Sequence, residues 1–316
     1  MRKRRFGFAG AIAVTIAAGS AAAGRAAAPR GPASSSSAPR HVPLADTAPA
    51  KSAAWPDSAL TGACRARLDA LRRQTNQKLA DGLDVPFVVA GDLTAGDLAR
   101  IQRYTIRPAA EALWKHYFDR RPTEPITILL FSGQKSYKEY AERLFADKRL
   151  PHFGYYRSKD RTLVMNIDTG TGTLVHEMVH ALADFDFPEM PTWFSEGLAS
   201  LYEQCTLADG DIRGLVNWRL PALQEAIRGG RLRPLKELIT SDDFRGEQEG
   251  MNYAQARYFC MYMQSGGVLR TFYRSFRENQ KTDPNGLTTV RKVFGGASIE
   301  RIDRDFTQWV RTLQRE

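Results

Sequence analysis

Histidine is scarce in this chain, with five in 316 residues, and cysteine is scarcer still, with three. So few cysteines exclude a disulfide-dense scaffold, and Cys64, Cys205 and Cys260 lack the spacing of a cysteine metal site. In an oxidising compartment they allow one disulfide and leave one thiol over. Cys205 is expected to be buried on the apolar face of the helix that holds Phe194, Leu198 and Leu201. No cysteine closely follows the first apolar run, which speaks against a lipid-modified amino terminus. Long hydrophobic runs are also missing: the longest candidate, residues 6–18, is short and alanine-rich for a bilayer span. Concentrated positive charge is absent too. The formal net charge is +10, but Arg2, Lys3, Arg4 and Arg5 carry four of those charges and the rest are spread along the chain. That distribution excludes a nucleic-acid stripe as an expectation, and leaves room only for weak association with anionic cell-envelope polymers.

What the amino terminus does have is order. A basic cluster at 2–5, the apolar run at 6–18 and the small residues Ala21-Ala22-Ala23 follow one another as in a secretory signal peptide. The expected organisation is a signal peptide at 1–28, a disordered Ala/Pro/Ser-rich linker at 29–55 and one folded domain at 56–316. The linker, which includes Ser34-Ser35-Ser36-Ser37, has little to bury. Export to the periplasm or the extracellular space is the expectation, with an uncleaved membrane anchor as the alternative.

Periodicity predicts helices over 63–81, 94–118 and 134–146, and strands over 85–90 and 125–131. A hairpin is expected from 153–156 and 162–167 around Ser158-Lys159-Asp160. Beyond Glu196 the pattern is nearly all helical, over about 217–228, 235–239, 250–264, 268–279, 287–294 and 299–314.

Two of the five histidines stand in His176-Glu177-Met178-Val179-His180. On a helix of about 100° per residue, His176 and His180 lie about 40° apart, one turn along the axis, on one face. That is the bite that holds one zinc ion through two imidazole nitrogens. Glu177 lies about 60° further round, beside the metal, where a carboxylate can take a proton from a metal-bound water. Val175, Met178, Val179 and Leu182 form the opposite, core-facing stripe. A catalytic zinc takes three protein ligands. If the first helix ends near Phe185 and a second begins near Pro191, the antiparallel pair brings Glu196 level with His180. Gly197 and Ala199 are expected to let those two helices approach closely. Asp186 and Glu189 are rival third ligands, and Asp184 is a candidate hydrogen-bond partner for a histidine.

The stretch Pro191-Thr192-Trp193-Phe194-Ser195-Glu196-Gly197-Leu198-Ala199 resembles the glutamate helix of the gluzincin metallopeptidases. Among them it is most similar to the bacterial peptidase MA-like domains, with their Trp-x-x-Glu-Gly-hydrophobic-Ala pattern. The resemblance implies an α+β, zincin-like fold: a mixed β-sheet amino-terminal lobe, then a largely helical carboxy-terminal lobe, with the zinc site between them. It implies one zinc ion on His176, His180 and Glu196, Glu177 as general base, a peptide or protein substrate, and a sheet edge that binds it. Tyr253-Ala254-Gln255-Ala256 resembles the family's following helix, so Tyr253, Arg257 and Tyr258 are candidate oxyanion stabilisers. Glu203 is the one candidate for an exopeptidase's amino-terminal anchor. Two alternatives stand beside the peptidase: a non-catalytic cell-envelope binding domain on the same fold, and a zinc hydrolase of a non-peptide substrate.

Overall fold

The structure, a computed structural model, describes residues 55–148, 150–168 and 170–314. The expected signal peptide and linker therefore lie outside the described residues, apart from position 55. Among the described residues, no helix is long and apolar enough to cross a membrane.

The first helix, α1 (Ser58–Gln74), begins earlier than the apolar pattern predicts, because the Asp57 carboxylate accepts from the Leu60 amide at 2.7 Å and caps it. It also ends earlier. Asn76 and Gln77 take left-handed φ angles of 51° and 55°, which turn the chain into a strand that the periodicity does not predict, β1 (Ala80–Asp84). This strand pairs antiparallel with β2 (Phe87–Gly91). The helix expected over 94–118 is broken into α2 (Ala95–Ile101), a π turn (Gln102–Ile106) and α3 (Arg107–His116). Pro108 has no N–H to offer the preceding turn. The wider turn absorbs this, with the Arg107 N–H reaching back to the Gln102 carbonyl.

The strands β3 (Ile126–Phe131), β4 (Gly154–Arg157) and β5 (Thr162–Asn166) complete a mixed sheet of order β1-β2-β3-β5-β4. Its three central strands are parallel and both edges antiparallel. The central strands are buried on both faces, as their apolar runs require. Successive side chains alternate between two cores. Phe87, Val89, Ile128, Leu130 and Met165 join the core that contains α3. Val88, Ala90, Leu129, Phe131 and Val164 face α1 and α4 (Gln134–Phe145). The expected hairpin is present, and β4 is its outer strand.

Two helices, α5 (Gly172–Asp186) and α6 (Thr192–Tyr202), then pack against each other. To the nearly all-helical pattern expected beyond Glu196, with its first helix from about 217, the structure adds a hairpin, β6 (Cys205–Ala208) and β7 (Asp211–Gly214). Its two-residue turn is Asp209-Gly210, with φ of 53° and 69°. An Asp-Gly pair between short strands was the available signal. The remainder is helical: α7 (Leu220–Arg228), α8 (Leu235–Thr240), α9 (Glu249–Ser265), α10 (Leu269–Asn279), α11 (Leu287–Val293) and α12 (Ile299–Thr312).

The one disulfide that three cysteines allow is not formed: Cys64, Cys205 and Cys260 are all free. Cys64 lies in the core beneath the sheet, Cys260 lies on α9, and Cys205 sits on β6 rather than on the α6 face. Burial pushes the Cys205 thiol up to about 12.

Candidate metal centre

The helix α5 presents its two faces as its periodicity demands. Leu174, Val175, Met178, Val179 and Leu182 enter the core, while His176 and His180 point together on the other side. Their Nε2 atoms are 3.2 Å apart. Glu196, one helix away on α6, brings Oε2 to 3.4 Å from His176 Nε2 and 3.6 Å from His180 Nε2. Four ligands at about 2.0–2.1 Å from a tetrahedral ion lie about 3.3 Å from one another. The three observed separations bracket that value. This His-His-Glu cluster can hold a metal ion.

The chemistry of the donors makes the same point. Glu196 is 5 % exposed, and its Oε2 is buried without a hydrogen-bond partner. Its distances to the imidazoles are those of ion pairs, longer than good N–H···O bonds. A buried, unsatisfied carboxylate oxygen is costly, and a cation in the triangle would satisfy it. Burial opposes ionisation of Glu196, but His176 and His180 outweigh burial and hold its carboxyl well below the usual carboxylate range. Burial likewise opposes a charged His176, yet Glu196, Glu177 and Glu203 raise its proton affinity above that of an ordinary imidazole. A metal ion would replace that proton with a fixed charge.

The fit of α5 to α6 rests on the helix beyond. A Cβ on Gly197 would lie 2.9 Å from the Ala256 carbonyl oxygen and 3.0 Å from Cys260 Sγ. Gly197 therefore permits close approach to α9, which corrects the expectation that it serves the contact with α5. Trp193 Nε1 donates to the Asn285 carbonyl at 2.9 Å and ties the start of α6 to the chain before α11.

Of the other predicted residues, some gather at the cluster and some do not. Glu177 is buried next to His176 on α5, and its charge is among the causes that raise the proton affinity of that imidazole. Tyr253, at the start of α9, lies beside Glu196. Burial, and then the Glu196 charge, raise its phenol well above the ordinary value, so it stays protonated. Arg257 is fully buried and serves the backbone, donating to the Ser200 carbonyl at 2.9 Å and to the Leu215 carbonyl. The Tyr258 hydroxyl accepts from the Asn217 amide at 3.0 Å. These two hold the end of α6 and the segment after β7, away from the triangle. Asp184 is exposed and acts on Tyr156 of β4, whose phenol is raised first by burial and then by that carboxylate. Asp186 accepts from three donors elsewhere, and Glu189 is exposed. Glu203 is paired with Arg219.

Two residues at the cluster were given no role from the sequence. Ser195 Oγ lies 3.0 Å from His180 Nδ1 and so orients that ring, a part for which Asp184 was only a candidate at one of the two histidines. Arg245, from the chain between α8 and α9, donates through Nη2 to Glu196 Oε1 at 2.6 Å. Ser195 adjoins Glu196 and was open to inference from that adjacency, whereas no local pattern marks Arg245. Neither a scan against protein-family models nor a search of curated proteins returned a match to this chain.

Proposed function

We propose that this chain is an exported, zinc-dependent peptidase of gluzincin type, in which His176, His180 and Glu196 hold one zinc ion. The observation that carries this reading is the company Glu177 keeps. A carboxylate on a side chain only 9 % exposed, one residue from a three-ligand cluster, has no use in a purely structural metal site, which closes all four positions with protein ligands. It is well suited to proton transfer.

A zinc ion held there supplies Lewis acidity toward a carbonyl and lowers the pKa of a coordinated water to about 7. The chain's own residues do the rest. Glu177 accepts the proton of the attacking water and passes it to the departing amine. Tyr253, protonated and next to Glu196, is the side chain best sited to donate to the developing oxyanion. The edge strand β4 packs against α5, and its unpaired backbone groups suit an extended peptide added as a further strand. Ser195 keeps His180 in orientation. Pairing of Glu203 with Arg219 weakens the case for an amino-terminal anchor, which favours cleavage within a chain.

The test measures zinc stoichiometry and cleavage of a mixed peptide library on the same samples, with and without chelator. Wild type is expected to hold one zinc and to cleave, and chelation to abolish cleavage. Glu177→Gln is expected to keep its zinc and to lose about 10²–10⁴-fold in rate. Zinc-loaded wild type that cleaves no peptide contradicts the proposal.

A further inference from the structure

We infer that Arg245 is a positioning residue that forces Glu196 to offer the metal one oxygen only. The inference rests on the reading of His176, His180 and Glu196 as metal ligands. A carboxylate can ligate through one oxygen or both, and the choice sets how many coordination positions remain. Here the two oxygens of Glu196 have separate fates. Oε1 accepts from Arg245 Nη2 at 2.6 Å, while Oε2 faces both imidazoles with no hydrogen-bond donor of its own. A short, charge-assisted bond on Oε1 competes with any second metal contact and locks the carboxylate's rotation.

The arginine is itself held. Nη1 donates to the Tyr253 hydroxyl at 3.1 Å and pairs with Glu249 Oε1 at 3.2 Å. The preceding residue, Phe244, is buried, packs on the Tyr253 ring at 5.2 Å between centroids, and gives its carbonyl to Asn252 Nδ2 at 2.8 Å. The backbone that carries Arg245 is thus fixed to α9, although the arginine side chain is 59 % exposed. Two carboxylates and a phenol already occupy the guanidinium, so a grip on a substrate carboxylate is the less suitable role. One fork ties Glu196 and Tyr253 together, which fixes the spacing between the metal ligand and the phenol above it. An arginine presents several donors in a rigid plane, and a lysine presents a single point.

The experiment uses the full-length protein, stripped of metal and titrated with Co²⁺, whose visible spectrum reports coordination number. Wild type is expected to bind one Co²⁺. Arg245→Met, which keeps the aliphatic stem, is expected to bind about 10- to 100-fold more weakly and with a changed spectrum, as Oε1 becomes free to ligate. Arg245→Lys keeps one donor for Oε1 and is expected to retain the wild-type spectrum. Arg245→Met with wild-type affinity and spectrum would overturn the inference, and so would lysine and methionine variants that behave alike. If wild type binds no Co²⁺, the metal reading itself falls, a result distinct from an unaltered Arg245→Met.

Discussion

Two buried carboxylates, Asp186 at the end of α5 and Glu196 on α6, sit in opposite chemical situations. Asp186 is 0 % exposed and completely occupied. It accepts from the Arg120 amide at 2.7 Å, the Tyr273 hydroxyl at 2.8 Å and Arg277 Nη1 at 2.7 Å, and Arg277 also reaches Asp119. Glu196 has one oxygen occupied and the other aimed at two imidazoles without a donor. From sequence both were eligible third ligands. The difference teaches that burial of an acid does not mark a site. Unused hydrogen-bonding capacity facing other ligand atoms does: Asp303 Oδ1 is also buried without a partner, but among the described residues only Glu196 joins two histidines in a group that could hold a metal.

The largest expected effect comes from breaking the satisfied member. Asp186→Ala leaves Arg277 and Tyr273 facing a hole, and denaturant unfolding of metal-free protein should show a loss of about 3–5 kcal/mol. Its folded fraction should still bind metal. Breaking the unsatisfied member reverses that profile. Glu196→Gln should weaken zinc by more than the roughly 10- to 100-fold typical of an outer hydrogen-bond partner, as read by competition with a chromophoric chelator. Its metal-free form should be destabilised less than Asp186→Ala, and equal destabilisation would erase the contrast. Ser195→Ala frees His180 Nδ1, and zinc affinity should fall about tenfold, the low end for such a partner. The smallest effect belongs to Asp184→Asn. That side chain is exposed and directed at Tyr156, so zinc affinity should stay within about twofold of wild type, well short of an outer partner's contribution. A tenfold loss there would restore Asp184 as a histidine's partner.

The cluster was legible because its information is local. His176 and His180 are one turn apart, and Glu196 comes after a single short connection, so helical spacing together with the resemblance of residues 191–199 to a glutamate helix pointed to all three. The central strands were legible for the same kind of reason: Ile126–Phe131 is an apolar run too short for a helix and buried on both faces. The features that escaped depend on partners distant in the chain. Nothing near Ala80–Asp84, a strand with one leucine, announces pairing with Phe87–Gly91. Arg245 is one of 45 basic residues, and its meaning comes from a carboxylate 49 positions away. Tyr253, Arg257 and Tyr258 looked equivalent on α9. Their different depths against α6 assign Tyr253 to the cluster and the other two to buried backbone carbonyls and amides. The hairpin β6–β7 is a separate case, since Asp209-Gly210 was a readable turn signal in a stretch where the periodicity predicts no element.

The central claim is that His176, His180 and Glu196 hold a single metal ion. Anomalous diffraction at the zinc absorption edge, on crystals grown from zinc-reconstituted protein, tests it most directly. The expected result is one anomalous peak inside the triangle of His176 Nε2, His180 Nε2 and Glu196 Oε2, with Glu196 Oε1 still held by Arg245. No peak in that triangle, or a peak only at other side chains, would contradict the claim.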